Sequence, residues 1–357
     1  MTSSPPHARR YPHRTISRWE FWPARVFETP YYLALLMHCA RLRLPPKHLA
    51  KANYALDHGE IGLGSKHRTQ CAFDQHWFPA TTLLKADTDT GLKQRQIENF
   101  AARHGYPLIL KPDMGAVGKG LLKVTGPSTA ADLAPLLSCD YLLQAYVDLP
   151  NEYGVFFVRR SGLGRITGVN RKHFPEVTGD GKRTLGNLAS AHERFSNHWP
   201  LFLKDLDLER IPALGERVRL SFVGSHTMGC RFSNDPELIT DTLRSEIDRF
   251  CASQPGYNFG RLDVRAASDE ALMSGSFTVI EANGVASLPT HMFDPRHSVF
   301  RAWQIFIEHA GYLATAANEQ RHQPMQLAPW RKILRGIQAS SRSLNESHAR
   351  ALDRRTL

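Results

Sequence analysis

Two periodicities run through this chain. Alternating or short apolar runs, the pattern of strands, recur at Ile109-Leu-Lys111, Gly120-Leu-Leu-Lys-Val124, Tyr141-Leu-Leu-Gln-Ala-Tyr-Val147, Gly154-Val-Phe-Phe-Val158, 217–223, Gly260-Arg-Leu-Asp-Val-Arg265 and Phe277-Thr-Val-Ile-Glu281. Helical spacing predicts helices over 92–104, 187–195, 237–252 and 299–317, another from Thr69, and a basic helix from Trp330. The mixture predicts an α/β (α+β) protein. Residues 1–20 read as a disordered basic arm and 21–65 as a helical segment broken at Pro45-Pro46. Residues 66–143 and 144–320 read as two subdomains, and 321–357 as a basic helical tail.

Composition narrows the class. A chain of 357 residues, 42% hydrophobic, can bury a full core. With 45 basic against 34 acidic residues it carries +11, which favours an anionic partner. No zinc finger, RNP signature or basic zipper is present, so nucleic acid is not expected. The five cysteines (39, 71, 139, 230 and 251) are scattered and lack a CxxC. That argues for a reducing compartment and against a zinc site. The first twenty residues lack an apolar core of the signal-peptide kind, and the expectation is a cytoplasmic protein. The most apolar run, Tyr31–Ala40, is too short to span a bilayer. Arg10, Arg14, Arg18 and Arg25 precede it, Arg41, Arg43 and Lys47 follow, and Trp19, Phe21, Trp22 and Phe27 stand beside it. Two readings stay open: a core helix, or peripheral contact with a membrane surface.

Candidate chemistry sits on the strands. Residues at i and i+2 share a face, so Glu281 and Asn283 project together, as do Arg261, Asp263 and Arg265. If these two runs pair across a turn at 266–276, three oxygen donors converge, which suits magnesium. Arg261 would then stand beside a transferring phosphoryl group. The plainer alternative is a set of solvated polar strand residues. Upstream, Lys111-Pro-Asp-Met-Gly115-Ala-Val-Gly118-Lys119-Gly120 forms a glycine-rich basic loop between two strands. It is not a P-loop, because Gly120 stands where Ser or Thr should follow the lysine, and it lacks the context of a dinucleotide fingerprint.

Taken in order, Lys111-Pro with its loop, Tyr141–Val147, Asn151-Glu152-Tyr153, Arg261-Leu-Asp263 and Glu281-Ala-Asn283 resemble the ATP-grasp superfamily. The order and spacing are most similar to D-alanine–D-alanine ligase and to the ligase module of cyanophycin synthetase, which Gly179-Asp180-Gly181 also resembles. Thr290-His291, Asp294-Pro295 and Trp19–Pro23 resemble a bacterial group of ATP-grasp proteins. The likeness runs from about Ser65 to about Pro295. It implies two subdomains gripping ATP, with the short helical 21–65 segment standing in place of a full Rossmann-like domain.

Position by position, the resemblance implies that Lys111 holds the α- and β-phosphates, that Lys66 reaches the nucleotide phosphates, and that Gly115, Gly118, Lys119 and Gly120 form a lid. Gln144, Ala145, Tyr146 and Val147 match the adenine-reading hinge. Glu152 matches the ribose acid, with Asp148 competing because the hinge is one residue longer. Asp263, Glu281 and Asn283 match the ligands of Mg2+ (Mn2+ being the alternative ion), Arg261 the arginine beside the phosphoryl group, and Lys172 the lysine on the γ-phosphate side. Arg265, Ser225, His226, Arg231, Ser287 and His291 are implied to face the substrate. The implied activity is ATP-dependent ligation of a small-molecule carboxylate to an amine through an acyl phosphate. A kinase acting on a hydroxyl and a non-catalytic ATP-binding module are the alternatives.

Overall fold

A computed structural model of the chain describes residues 19–61, 64–115, 118–194 and 206–329, with single positions 331, 335 and 338. The N-terminal arm to residue 18 and most of the basic tail lie outside the described residues.

One sheet is built from β1 (Thr81–Leu84), β2 (Leu108–Pro112), β3 (Leu122–Val124) and β4 (Tyr141–Ala145), in the order β1-β4-β2-β3 and antiparallel throughout. Alternation decides its faces. Leu108, Leu110, Val124 and Leu143 pack with Ile97 and Phe100 of helix α4 (Thr90–His104) and with Ala130 and Leu133 of α5 (Pro127–Leu133). Ile109 and Lys111 therefore turn to the opposite face.

A larger antiparallel sheet joins β5 (Asn151–Arg160), β6 (Leu163–His173), β9 (Arg231–Asn234), β10 (Phe259–Ala266) and β11 (Thr278–Asn283), in the order β11-β10-β5-β6-β9. Between β6 and β9 a small ribbon pairs β7 (Glu176–Thr178) with β8 (Arg217–Arg219). On one face, Tyr153, Val155, Phe157, Leu262 and Val264 pack against Leu243, Ile247 and Phe250 of α7 (Asp241–Ala252). On the other, Phe156, Val158 and Phe259 pack under α2 (Thr29–Arg41) and α9 (Val299–Glu319). Along that same face the side chains become charged: Glu152, Lys172, Arg261, Asp263 and Arg265. One strand face thus serves a core at one end and a cleft at the other. Two sheets closing on one cleft is the arrangement the resemblance implies.

Local rules set the element ends. Asp89, Thr240 and Ser298 cap α4, α7 and α9 through side-chain oxygens. The helix expected over 187–195 is shorter: α6 (Leu185–Ser190), capped by Thr184. The one expected over 237–252 begins at Asp241, after a 3₁₀ turn at Pro236–Leu238. The turn expected at 266–276 holds the short α8 (Asp269–Met273). Helix α3 (Lys66–Cys71) stands where a helix from Thr69 was expected. The expected strand 217–223 stops at Arg219: Leu220 still donates its N–H to Pro175, but Phe222, Val223 and Gly224 turn inward to line the cleft. The segment before α3 is helical, with α1 (Ala24–Phe27), α2 and 3₁₀ turns.

Candidate functional site

Register explains the site. Lys172, Glu152 and Arg265 are direct neighbours across β6, β5 and β10, and Asp263 and Glu281 face each other across β10 and β11 one pleat further on. Arg261 and Asn283 form the next opposed pair. Gly154 sits opposite Asp263. A Cβ there would meet the Asn170 side-chain oxygen at 2.5 Å and the Arg261 side chain at 3.3 Å, so its absence makes room for the charged groups.

The charges are matched in pairs. Arg261 grips Asp263 with two hydrogen bonds, of 3.0 and 3.1 Å, and Lys172 Nζ lies 2.9 Å from Asp263 Oδ1. Burial opposes the Asp263 charge, but Arg261 and Lys172 outweigh it and hold the carboxyl at about 2. Lys172 also donates to Glu152 Oε1 at 2.9 Å, while Arg265 donates to Glu152 Oε2 at 3.0 Å. Burial likewise opposes the Glu152 charge, and Lys172 with Arg265 lowers its pKa. Expected as a ribose ligand, Glu152 has both oxygens engaged by cations. Arg265, expected to face substrate, also donates to the Val147 carbonyl at 2.8 Å and stacks over Tyr146, fastening the hinge to the large sheet.

From the small sheet, Lys111 crosses the cleft to donate to the Ile280 carbonyl at 2.8 Å. The β10–β11 register shifts between Asp263 and Val264. Ile280 is the residue left over at that bulge, which turns its carbonyl toward Lys111. Burial pushes the Lys111 pKa down, with Glu281 opposing. Lys66 opens α3, where Ser65 caps the helix and bonds Asp113 at 2.9 Å. Its ammonium donates to the Gly115 carbonyl at 2.5 Å and lies 3.1 Å from Glu281. Burial opposes the Lys66 charge, but Glu281 and Glu60 raise its pKa.

These groups line one cavity of about 750 Å³. Gly115, Gly118, Lys119, Gln144, Ala145, Tyr146 and Val147 join them there. Gly118, at φ 75°, would put a Cβ 2.5 Å from Val223 Cγ1, so the loop lies tightly on the far wall. Ser225, His226 and Ser287 line the cavity too. Two expected substrate residues do not. Arg231 starts the edge strand β9, exposed and opposite His173. His291 is buried beneath the sheet, where a Cβ on Gly168 would touch its ring at 2.2 Å and where it packs against His309. Gly120 is buried beside β3, outside the lining.

Sequence reasoning missed two partly buried acids on the same cavity. Glu60 accepts from Thr69 and from the Gly284 N–H at 2.7 Å, and burial raises its pKa. Glu20 accepts from Arg194 at 2.8 Å and lies 3.0 Å from His226. Burial opposes the Glu20 charge, but His226 and Arg194 lower its pKa. With Glu20, the side chains of Trp22, Phe27, Leu288 and Phe293 line the cavity, and these four also pack together in one core cluster. The signal available was weak: Glu20 and Glu28 are the only acids between residues 1 and 56.

Asp263 and Glu281 are hard oxygen donors held ionised against each other, with the Asn283 amide beside them, its Nδ2 3.4 Å from Asp263. That donor chemistry fits a magnesium ion completed by phosphate and water. Among the described residues no group of three His, Cys, Asp or Glu side chains gathers as a metal site.

No family model matches this sequence, and no curated protein does. Solved structures are similar in chain course. D-alanine–D-alanine ligase from Bacillus anthracis is 12% identical with a TM-score of 0.43, over 75% of this chain and 72% of that one. D-alanyl-alanine synthetase A from Vibrio cholerae is 14% identical at 0.39, over 72% and 64%. The bifunctional glutathione synthetase from Pasteurella multocida is 16% identical at 0.37, over 69% and 35%. This chain therefore spans about a third of that synthetase.

Proposed function

We propose that this chain is an ATP-dependent carboxylate–amine ligase of the ATP-grasp kind. The observation that carries the reading is the opposed Asp263–Glu281 pair, set in one cleft with Lys66, Lys111, Lys172 and Arg261 and covered by a glycine-rich loop. Fixed cations around a buried anion site stabilise the charge that shifts during phosphoryl transfer.

In this reading a substrate carboxylate oxygen attacks the γ-phosphorus in line, ADP leaves, and an acyl phosphate forms. An amine then attacks the carbonyl carbon and phosphate departs, leaving an amide. Lys66 and Lys111 orient the phosphates, and Arg261 faces the transferring group. Magnesium, when bound through Asp263, Glu281 and Asn283, supplies charge neutralisation at the phosphates. Gly115, Gly118 and Lys119 exclude water, which would otherwise hydrolyse the acyl phosphate. The backbone of Gln144 to Val147 reads the base. The carboxylate is assigned to the apolar lining of Trp22, Phe27, Leu288 and Phe293, which favours an acid with an apolar body.

Incubation with magnesium, ATP and hydroxylamine across a panel of apolar and polar acids tests the reading. Hydroxamate together with ADP, for one class of acid, is the expected result. ADP formed with a hydroxyl compound and no hydroxamate with any acid would overturn it in favour of a kinase.

A further inference from the structure

Helix α2 lies on the surface, yet from Thr29 to Ala40 it contains no Asp, Glu, Lys or Arg. Its inner side, Tyr31, Ala34, Leu35 and Cys39, packs against α9. Its outer side is just as apolar: Tyr32, Leu33, Leu36 and Met37 are 52–72% exposed. These residues are spaced at three and four, so they form one continuous patch. Val26 on α1, and Phe300 and Ile307 on α9, are exposed apolar side chains of the elements α2 packs against. A helix that is apolar all round is ordinarily buried all round, and large exposed apolar patches mark interaction surfaces.

Charge selects the occupant. Between residues 21 and 56 the basic residues are Arg25, Arg41, Arg43, Lys47 and Lys51, and the one acid is Glu28. Glu28 is half-buried and accepts from the Tyr32 hydroxyl at 3.3 Å. Arg25, Arg41, Arg43 and Lys47 are exposed at the two ends of the apolar helix, and Arg41 continues the Leu33–Met37 face by helical spacing. On α9 the charged residues are Arg301 and Glu308, which offset one another, and Glu319 at the C-terminal end, which accepts from the Ser161 N–H. A second copy of the chain meeting this face symmetrically would set the same cations against one another. The middle of the patch offers a single hydroxyl, on Tyr32, so it has almost no directional groups with which to select a protein. Lipid requires none.

We propose that the outer face of α2, extended by Val26, Phe300 and Ile307, docks on an anionic lipid surface, with α2 lying in the plane of the interface. Thirteen residues rise about 20 Å, at about 1.5 Å each, short of the roughly 30 Å hydrocarbon core. Accordingly, no described helix is long and apolar enough to cross a membrane. The patch enters the acyl boundary while Arg25, Arg41, Arg43 and Lys47 meet the headgroups.

Flotation of the full chain with phosphatidylcholine vesicles, with and without phosphatidylglycerol, tests the docking. Binding to the anionic vesicles alone, weakening as salt is added, is expected. The double substitution Leu33→Asp, Met37→Asp is expected to lower the bound fraction at least tenfold, with an unchanged far-ultraviolet spectrum. Arg41→Glu, Arg43→Glu should weaken binding to anionic vesicles while leaving the apolar patch in place. Absence of wild-type binding at low salt overturns the proposal. So does sedimentation of the wild type as a dimer that the Leu33→Asp, Met37→Asp variant converts to monomer, since that gives the face to a second copy.

Discussion

Lys111 joins the two sheets through one ammonium, reaching from the end of β2 to a carbonyl displaced by the β11 bulge. Removing a buried, hydrogen-bonded charge from a binding site costs about 2–5 kcal/mol. Lys111→Ala should therefore weaken ATP binding by at least about 30-fold, at about 1.4 kcal/mol per tenfold, as titration calorimetry would show. Equal affinity would move the phosphate site elsewhere. Glu281→Gln keeps the shape and loses the charge, and is expected to lower turnover by about 100-fold or more with the fold intact. An unchanged rate would remove Glu281 from the metal set. Acid stability carries its own sign. Asp263 titrates at about 2 in the folded chain against an ordinary 3.8, and Glu152 is also lowered. Their contribution is present above the ordinary carboxylate range and is lost as pH falls through the folded values. Melting temperature should thus drop between about pH 4 and pH 2. A flat profile would mean that these pairs do not titrate with unfolding.

Among the elements, the strands that carry the chemistry were the most legible in sequence. Gly260–Arg265 and Phe277–Glu281 pair as β10 and β11: charged and apolar residues alternate along the first, and the second is rich in β-branched residues. By contrast β6 escaped notice. Its run Leu163-Gly-Arg-Ile-Thr-Gly-Val-Asn-Arg-Lys-His173 mixes glycine and charge on both faces, since one end lines the cleft and the other packs on helices. Lys172 was singled out by resemblance, while its pairing with Glu152 and Asp263 depends on a register that no local pattern encodes. Leu220–Val223 reads as strand from its apolar residues, but beyond Leu220 the ladder ends: Leu220 packs in the β7–β8 cluster, while Phe222 and Val223 pack with the small-sheet core and line the cleft. Gly224 completes that wall. A Cβ there would lie 2.0 Å from Glu152 Oε1 and 3.0 Å from Lys172 Cδ. Gly224→Ala should force the pair apart, destabilising the chain by about 1–3 kcal/mol and lowering ATP affinity. Denaturant melts and nucleotide titration check both, and wild-type values in each would place the loop further from Glu152.

Across the whole molecule, the short N-terminal segment acts at long range. Glu20 meets Arg194 across 174 positions, and Glu60 meets the Gly284 N–H across 224. Contacts so distant leave no periodic trace, which is why neither acid stood out in the sequence although both line the cavity. Of the two readings open at Tyr31–Ala40, the packed inner side agrees with a core helix, while the exposed outer side leaves membrane contact as the proposal made above. Ligand binding should stabilise this assembly as a unit, by about 2.7 kcal/mol at a hundredfold excess over Kd. Thermal denaturation with ATP and magnesium together is expected to shift further than the sum of the shifts with each alone. Simple addition would separate the metal from the nucleotide site.

The paired charges explain why the two should be inseparable. Lys66 already holds Glu281, and Lys172 already holds Asp263. A bare polyanion draws the ammonium groups away and strands the carboxylates, whereas a bare cation engages the carboxylates and strands the ammonium groups. The complex of the two, although still net negative, would let the ammonium groups and the carboxylates exchange partners together and leave fewer charges uncompensated than either ion alone. In the proposed function the cleft would thus act as an ion exchanger, trading its internal ion pairs for those with its ligand.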